Sequence, residues 1–445
     1  MSPFCVTFAH RIIKHMKKEV KIVLGSLFGD EGKGSTVQWL CKKAIDEKKH
    51  PLVIRFSGGP QAGHEASLNG ITHSFSSFGS GTLLGVPTAY MSDVTDSWID
   101  YQGMMIDPIA WKAEYEDLQS KGVTPPLYHL IYNYPRIITP FDVIENRKSG
   151  SEALHGTCGK GIFRTFNRYK TMYRTADEQK KIDLLWSDPK KYARDVARRC
   201  YGQPVDAKAK ELIDMFADAY EFFRAHSYNR FIEGSFLNPN LDQYDVLIFE
   251  GSQGLLLDMQ SGFMPNCTPS NTGLRTLALT CQDLLKDAEV YLTMRTYLTR
   301  HGNGYTPNID MSLTEHLLEG SLKNEANVFN EWQGEFKVGL FDCRLLNRAF
   351  DRHLLDQYDY HYGTKFNLVV THCDDLKLSN DFIEWPYIDK NGKLKTITPL
   401  EDQFDVEDIT KRWIRALLYN VDLGVRKVYY SDGVSPSNFH EYHSC

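Results

Sequence analysis

Short apolar runs recur along the chain, and each ends in glycine or polar residues. They are VKIVLG (20–25), PLVIRFSGG (51–59), YDVLIFEGSQG (244–254), FNLVVTHCDD (366–375) and RKVYYSDG (426–433). Within each run the apolar residues are continuous rather than alternating. That is the pattern of strands buried on both faces, as in a parallel sheet. Stretches with helical periodicity lie between them: STVQWLCKKAID (35–46), AKELIDMFADAYEFFRAH (209–226) and DITKRWIRALLYNV (408–421). Strand and helix in turn predict the α/β class, with a mostly parallel sheet and helices on both faces. Ligands of such sheets sit beyond the carboxyl ends of the strands, so the polar residues that close each run are the candidates. No internal repeat, low-complexity tract or linker interrupts the pattern. The reading is one large domain over 20–445 with helical insertions, preceded by an N-terminal extension, 1–19. The segment 171–243 is helical in character and carries few motif matches.

The loop after the first run sharpens this. Residues 25–35 read GSLFGDEGKGS, a glycine-rich turn between a strand and a helix. A phosphate loop of the GxxxxGK[ST] type has its lysine in the same place. Here Lys33 follows Gly32, but Leu27 stands at the first glycine and Gly34 intervenes before Ser35. Strand, loop and helix together still offer main-chain N–H groups and a helix N-terminus to phosphate. The bland alternative is a glycine-rich turn with a solvated lysine. Two adjacent acids are what a plain phosphate loop does not explain. A carboxylate beside phosphate is repelled unless it binds a metal or exchanges a proton. Asp30 can do both, as a Mg2+ ligand and as a base on a weakly acidic substrate group.

Composition narrows the classes. The chain has 445 residues and a formal net charge of −6, which leaves no basic footprint for nucleic acid. No apolar run is long enough to span a bilayer. Nine scattered cysteines without a CxxC argue against a zinc site or a disulfide framework, and for reduced, cytoplasmic thiols. The basic N-terminus lacks the long apolar stretch of a secretory signal.

The loop GDEGKG resembles the signature of the adenylosuccinate synthetase family, and other blocks agree in order. GGPQAGHEASLNG (58–70), HGTCGKGI (155–162), IFEGSQGLLLD (248–258), PNCTPSNT (265–272), YLTRHGNGYTP (297–307) and VGLFD (338–342) each resemble a family block. The resemblance runs from about residue 20 to 433. It implies a carbon–nitrogen ligase of purine biosynthesis. Such an enzyme phosphorylates the 6-oxygen of IMP with GTP and Mg2+, then joins aspartate to give adenylosuccinate, GDP and phosphate. By that resemblance Asp30 is the base that takes the N1 proton, and His64 is the acid at the reacting oxygen. Lys33 neutralises the transferring phosphoryl group, and Gln253 orders the base and the purine. Gly63 offers a carbonyl to the Mg2+ that Asp30 also holds. Gly29, Glu31, Gly32, Gly34 and Ser35 form the phosphate loop, with Glu31 open to a second reading as a helix N-terminal acid. Thr157, Cys158 and Thr268 hold the nucleotide 5′-phosphate, and Asp374, Ser431 and Gly433 surround the donor base. The resemblance also implies a homodimer in which an arginine of the FRTFNRYKTMYR region, Arg168 or Arg174, crosses to the partner.

Several positions depart from the family pattern. The amino-acid loop, with Gln333 and Lys337, has Lys337 and Glu335 where the family has arginines. Either another cation such as Arg344 reaches in, or the amine donor is not aspartate. His372 stands for the base-packing lysine, so ATP competes with GTP as donor. Gln61 and Cys158 alter the purine pocket. A phage relative that acts on deoxyguanylate tends to lose the base aspartate, which this chain keeps. The alternatives to the IMP reaction are therefore a divergent synthetase for GMP, dGMP or another amine, and a nucleotide-binding protein without catalysis.

Overall fold

The computed structural model describes residues 18–92, 103–131, 135–148, 157–172, 178–228, 241–320, 322, 329–330, 332, 334–359, 363–378, 382–399 and 405–443. The extension 1–19 thus falls outside them apart from Lys18 and Glu19, and Glu19 already belongs to the first strand.

A nine-stranded sheet runs through the molecule. Its strands are β1 (Glu19–Gly25), β2 (Pro51–Arg55), β3 (Thr88–Met91), β4 (His129–Ile131), β5 (Val246–Gly254), β6 (Glu289–Arg295), β7 (Lys365–Thr371), β8 (Lys427–Ser431) and β9 (Phe439–Glu441). The spatial order is β9-β8-β7-β6-β1-β5-β2-β3-β4. Every neighbouring pair is parallel except the edge pair β8–β9. All five apolar runs of the sequence are strands of this sheet.

The continuous runs follow from burial on both faces. Ile22, Leu24, Ile54, Phe249, Leu292 and Leu368 pack into one core, under the helices α3 (Cys343–Asp359) and α4 (Val406–Asn420). Their chain neighbours Val23, Val53, Ile248, Tyr291 and Val369 pack on the other face with Val37, Leu40 and Cys41 of α1 (Lys33–Asp46). Successive side chains point to opposite faces, so a strand covered twice has no polar position to spare.

The helical insertion builds a core of its own. Helix α2 (Ala207–Ala225) lays Phe216, Tyr220 and Phe223 against Trp111, Tyr115 and Tyr128. The Trp111 indole N–H donates to the Tyr90 hydroxyl at 2.7 Å, which satisfies both groups inside that core. The segment 171–243, with few motif matches, is accounted for in its described part as packing.

Arg168 is also absorbed here. It is buried, with Nε and Nη2 donating to Asp142 at 2.7 and 2.9 Å, Nη2 to the Ile137 carbonyl at 2.6 Å and Nη1 to the Tyr192 hydroxyl at 2.8 Å. A guanidinium held on every side within its own chain does not reach a partner subunit. The expectation for Arg168 is corrected on that ground, and Arg174 lies outside the described residues.

Two stability predictions follow from these contacts. Arg168→Ala leaves the Asp142 carboxylate buried without its cation, which costs about 3–5 kcal/mol, read as a lower urea midpoint at unchanged slope. His353 of α3 is 1% exposed, has no hydrogen bond at either ring nitrogen, and is pushed down from 6.5 to about 4 by burial and the Arg352 charge. The neutral ring is the one the fold accepts. Its contribution is complete above pH 6.5 and is lost as pH falls toward 4, because only the unfolded chain takes up the proton there. The wild type therefore loses about 3 kcal/mol more stability than His353→Leu between pH 7 and pH 4, measured by urea unfolding at both.

Candidate active site

The phosphate loop leaves β1 at Gly25 and enters α1 at Lys33. It turns through three positive-φ positions: Gly29 (φ 94°), Asp30 (φ 54°) and, after Glu31, Gly32 (φ 72°). Glycine adopts this region freely, and aspartate is among the few other residues that visit it. The turn is braced from inside. Glu31 Oε1 accepts the Leu27 N–H at 2.6 Å, and the Thr371 hydroxyl donates to the Glu31 carbonyl at 3.2 Å.

The three charged side chains of the loop are shifted differently. Burial would raise Asp30, but the contact and charge of His301, then Arg295 and Lys33, outweigh it and hold the carboxyl below the usual range. His301 Nε2 lies 2.9 Å from Asp30 Oδ2. Burial raises Glu31 to about 8, against the pull of Lys33 and two main-chain N–H groups. Burial lowers Lys33, although Glu31, Asp30 and Glu250 favour its charge. Glu31 turns back under the loop and does not line the cavity, so it braces the turn rather than facing a ligand.

His64 opens the hairpin His64–Leu68/Ile71–Phe75. Its Nδ1 lies 2.6 Å from Glu250 Oε1, and its Nε2 lies 3.2 Å from the Ser252 carbonyl. Glu250 sits midway along β5 opposite Arg55 of β2, and also accepts from the Ser80 N–H at 3.0 Å and hydroxyl at 2.5 Å. Burial lowers the His64 pKa, and the Glu250 carboxylate works against that. The hairpin reaches the loop because Gly34 has no side chain: a Cβ there would stand 2.5 Å from the Glu65 carbonyl.

These elements enclose a cavity of about 550 Å³. Gly29, Asp30, Lys33, Gly63, His64, Thr157, Cys158, Gln253 and Thr268 all line it. Gln61 and Gln253 bring buried amide atoms without hydrogen-bond partners to its wall, as a polar ligand would require. Gly32, Gly34 and Ser35 lie just behind, in the first turn of α1, where the Ser35 hydroxyl donates to the Gly32 carbonyl at 3.0 Å.

Asp374, Ser431 and Gly433 do not line the cavity. They follow β7 and β8, adjacent strands, and form a second cluster with Asp375 and Asp432. Burial, then Asp375, raises Asp374 to about 6, and the Ser431 hydroxyl is buried without a partner. The clusters meet at Thr371, whose side chain packs against Gly32. An elongated anion with a heterocycle at one end can span them.

The segment expected to form the amino-acid loop lies partly among the described residues. Lys337 pairs across the antiparallel strands Leu298–His301 and Gly334–Gly339 with Arg300, and its Nζ donates to the Gly304 carbonyl at the cavity wall at 3.4 Å. Gln333 lies outside the described residues. Arg344 does not reach in: its Nε and Nη2 donate to Asp342 at 3.0 and 2.7 Å. Arg300 does line the cavity, 2% exposed, with its guanidinium 4.6 Å from the Phe28 ring.

Three residues escaped the sequence reading: Glu250, Arg295 and His301. Glu250 and His301 both lie inside quoted blocks, IFEGSQGLLLD and YLTRHGNGYTP, and a carboxylate directly after a buried apolar run was the available signal for Glu250. Arg295 carries none in isolation. For Mg2+, Asp30 and Gly63 border one cavity. The ion takes one or two protein oxygens and completes its shell with water and phosphate, so this sparse oxygen set fits it.

The adenylosuccinate synthetase family profile matches residues 22–380. Curated relatives include the adenylosuccinate synthetase of Natronomonas pharaonis, 27% identical over 357 residues and 74% of either chain. That of Parabacteroides distasonis is 30% identical over 305 residues, 65% of either chain. Among solved structures, fully ligated adenylosuccinate synthetase from Plasmodium falciparum superposes with a TM-score of 0.65 at 18% identity, over 96% of this chain and all of that one. Succinoaminodeoxyadenylate synthetase of cyanophage S-2L, bound to dGMP and dATP, gives 0.58 at 15% identity over 95% of each. These two establish a shared fold. No helix among the described residues is long and apolar enough to cross a membrane. With more than half of its length matched by the profile, the chain belongs to the adenylosuccinate synthetase family, nucleotide-binding ligases of purine biosynthesis.

Proposed function

We propose that the protein is a cytoplasmic, homodimeric ligase that phosphorylates the 6-oxygen of IMP with GTP and then joins aspartate, forming adenylosuccinate, GDP and phosphate. One observation carries this: Asp30 and Lys33 of the phosphate loop and His64 of the hairpin face one cavity. A protein that only binds nucleotide needs the lysine but neither the acid nor the histidine.

Asp30, kept ionised, takes the N1 proton as O6 gains nucleophilic character. Lys33 and the main-chain N–H groups of the turn meet the charge that spreads over the transferring phosphoryl group. Glu250 at Nδ1 favours the protonated His64 ring against burial, and Nε2, once it leaves the Ser252 carbonyl, is the proton donor at O6. Gln253 orients the purine, and Thr157, Cys158 and Thr268 hold its 5′-phosphate. Asp30 and Gly63 would hold Mg2+, which supplies charge neutralisation between the phosphates when bound. Asp374 and Ser431 receive the donor base, and Lys337 faces the amine donor.

A second reading keeps the chemistry and changes the partners. Glu335 is exposed on the strand where the family's cations stand, and Arg344 is tied to Asp342, so a dicarboxylate amine finds few charges there. His372 in place of lysine opens the donor site to ATP. The cyanophage enzyme above, bound to dGMP and dATP, is a relative of the same fold with other substrates.

With IMP, aspartate, GTP and Mg2+, the purified protein releases phosphate and shifts the purine absorbance. A screen of IMP, GMP and dGMP against several amino acids separates the two readings. Asp30→Asn lowers kcat by about 10²- to 10⁴-fold while calorimetry still records GTP binding; wild-type turnover in that variant refutes the base. Glu250→Gln removes the charge that opposes burial at His64, so the ring titrates at a lower pH than in the wild type. NMR of the His64 imidazole reads that shift, and an unmoved titration would show that Glu250 does not govern the acid.

A further inference from the structure

Three side chains of one segment, 295–301, grip the turn that carries Asp30. Arg295, at the end of β6, donates from Nε to the Asp30 carbonyl. The Thr299 hydroxyl donates to the Gly29 carbonyl at 3.2 Å. His301 then places Nε2 2.9 Å from Asp30 Oδ2. The first two hold main chain in the left-handed conformation at Asp30, which costs a non-glycine residue about 1–2 kcal/mol. Both hydrogen bonds go to main chain, and Arg295 acts on the carboxylate through its charge. His301 Nε2 lies against that group.

His301 is itself fixed. Its side chain is 12% exposed, and its ring lies 4.7 Å from Phe336, its direct partner across the antiparallel strands. A cross-strand aromatic pair of this kind limits ring rotation. Neither ring nitrogen has an aligned hydrogen bond, and Nδ1 has no partner at all. The contact with Asp30 is therefore one of proximity, made by a ring that its strand and the Phe336 contact place against the carboxylate. Both residues line the catalytic cavity.

We propose that His301 is a positioning residue for Asp30: with the loop backbone clamped by Arg295 and Thr299, it fixes the remaining freedom, the direction of the carboxylate into the cavity. The inference rests on the reading of Asp30 as the base. A base displaced by about 1 Å can lose about two orders of magnitude in rate, whereas the cradle for the nucleotide is main chain and stays in place.

The test is steady-state phosphate release by the full chain with IMP, aspartate, GTP and Mg2+. His301→Val lowers kcat about tenfold to a hundredfold with KM for both nucleotides within about twofold. His301→Gln, which keeps an N–H at similar reach, restores most of kcat. Adding His301→Val to Asp30→Asn slows the enzyme no further. A His301→Val enzyme with wild-type kcat, a loss confined to KM, or a Gln variant no better than Val overturns the proposal. Crystal structures of the wild type and His301→Val decide it apart from turnover. One Asp30 rotamer in the first and a turned or mixed one in the second supports the role, and the same rotamer in both removes it. A wild type inactive with every purine and amine pair sinks the functional reading, while the rotamer comparison still stands.

Discussion

Two pieces of main chain touch at the centre of this molecule. The loop after β1 and the end of β5 pass so close that a Cβ on Gly254 would stand 2.3 Å from the Leu27 carbonyl and 2.4 Å from the Gly29 nitrogen. A Cβ on Gly25 would meet Gly254 Cα at 3.0 Å. The Leu256 N–H donates to the Leu27 carbonyl at 2.8 Å and closes the contact. Backbone does not yield as a flexible side chain does, so these positions admit only glycine. The approach sets Gln253 beside Asp30, and the same device at Gly34 sets His64 beside Lys33. The cavity is a product of absent side chains.

Within that geometry the charges sort themselves. Three ionisable residues within four positions share one buried turn. His301 and Arg295 stand beside Asp30, and it is ionised. Glu31 faces inward, and burial drives its carboxyl up. Lys33 is pulled toward neutrality by burial and toward charge by the acids around it. An incoming phosphate adds negative charge beside Lys33 and favours its cationic form. The two acids of the loop thus differ in place: Asp30 lines the cavity, and Glu31 braces the turn.

The rest of the fold serves to deliver loops. Parallel strands in the order β8-β7-β6-β1-β5-β2 bring every strand end of consequence to one edge, so the cavity and the Asp374 cluster lie side by side across Thr371. The insertion around Trp111 and α2 packs beyond it and uses Arg168 as a buried tie.

The sequence by itself determined the α/β class, five strands of the sheet, three of its helices and the cluster of Asp30, Lys33, His64 and Gln253. The signals for the strands, the helices, Asp30 and Lys33 are local: an apolar run, a helical period, a glycine loop of fixed spacing; His64 and Gln253 entered only through the resemblance to the family. Strands β3, β4 and β9 were missed because they are short, and β6 (EVYLTMR) because its polar ends break the apolar run. Tertiary structure alone decided that Arg168 and Arg344 are spent on Asp142 and Asp342, that Glu250 backs His64, and that His301 meets Asp30. Those pairs join residues as far apart as 30 and 301. Nothing in a one-dimensional pattern encodes such contacts, because the order of strands in the sheet, not their order in the chain, brings the side chains together.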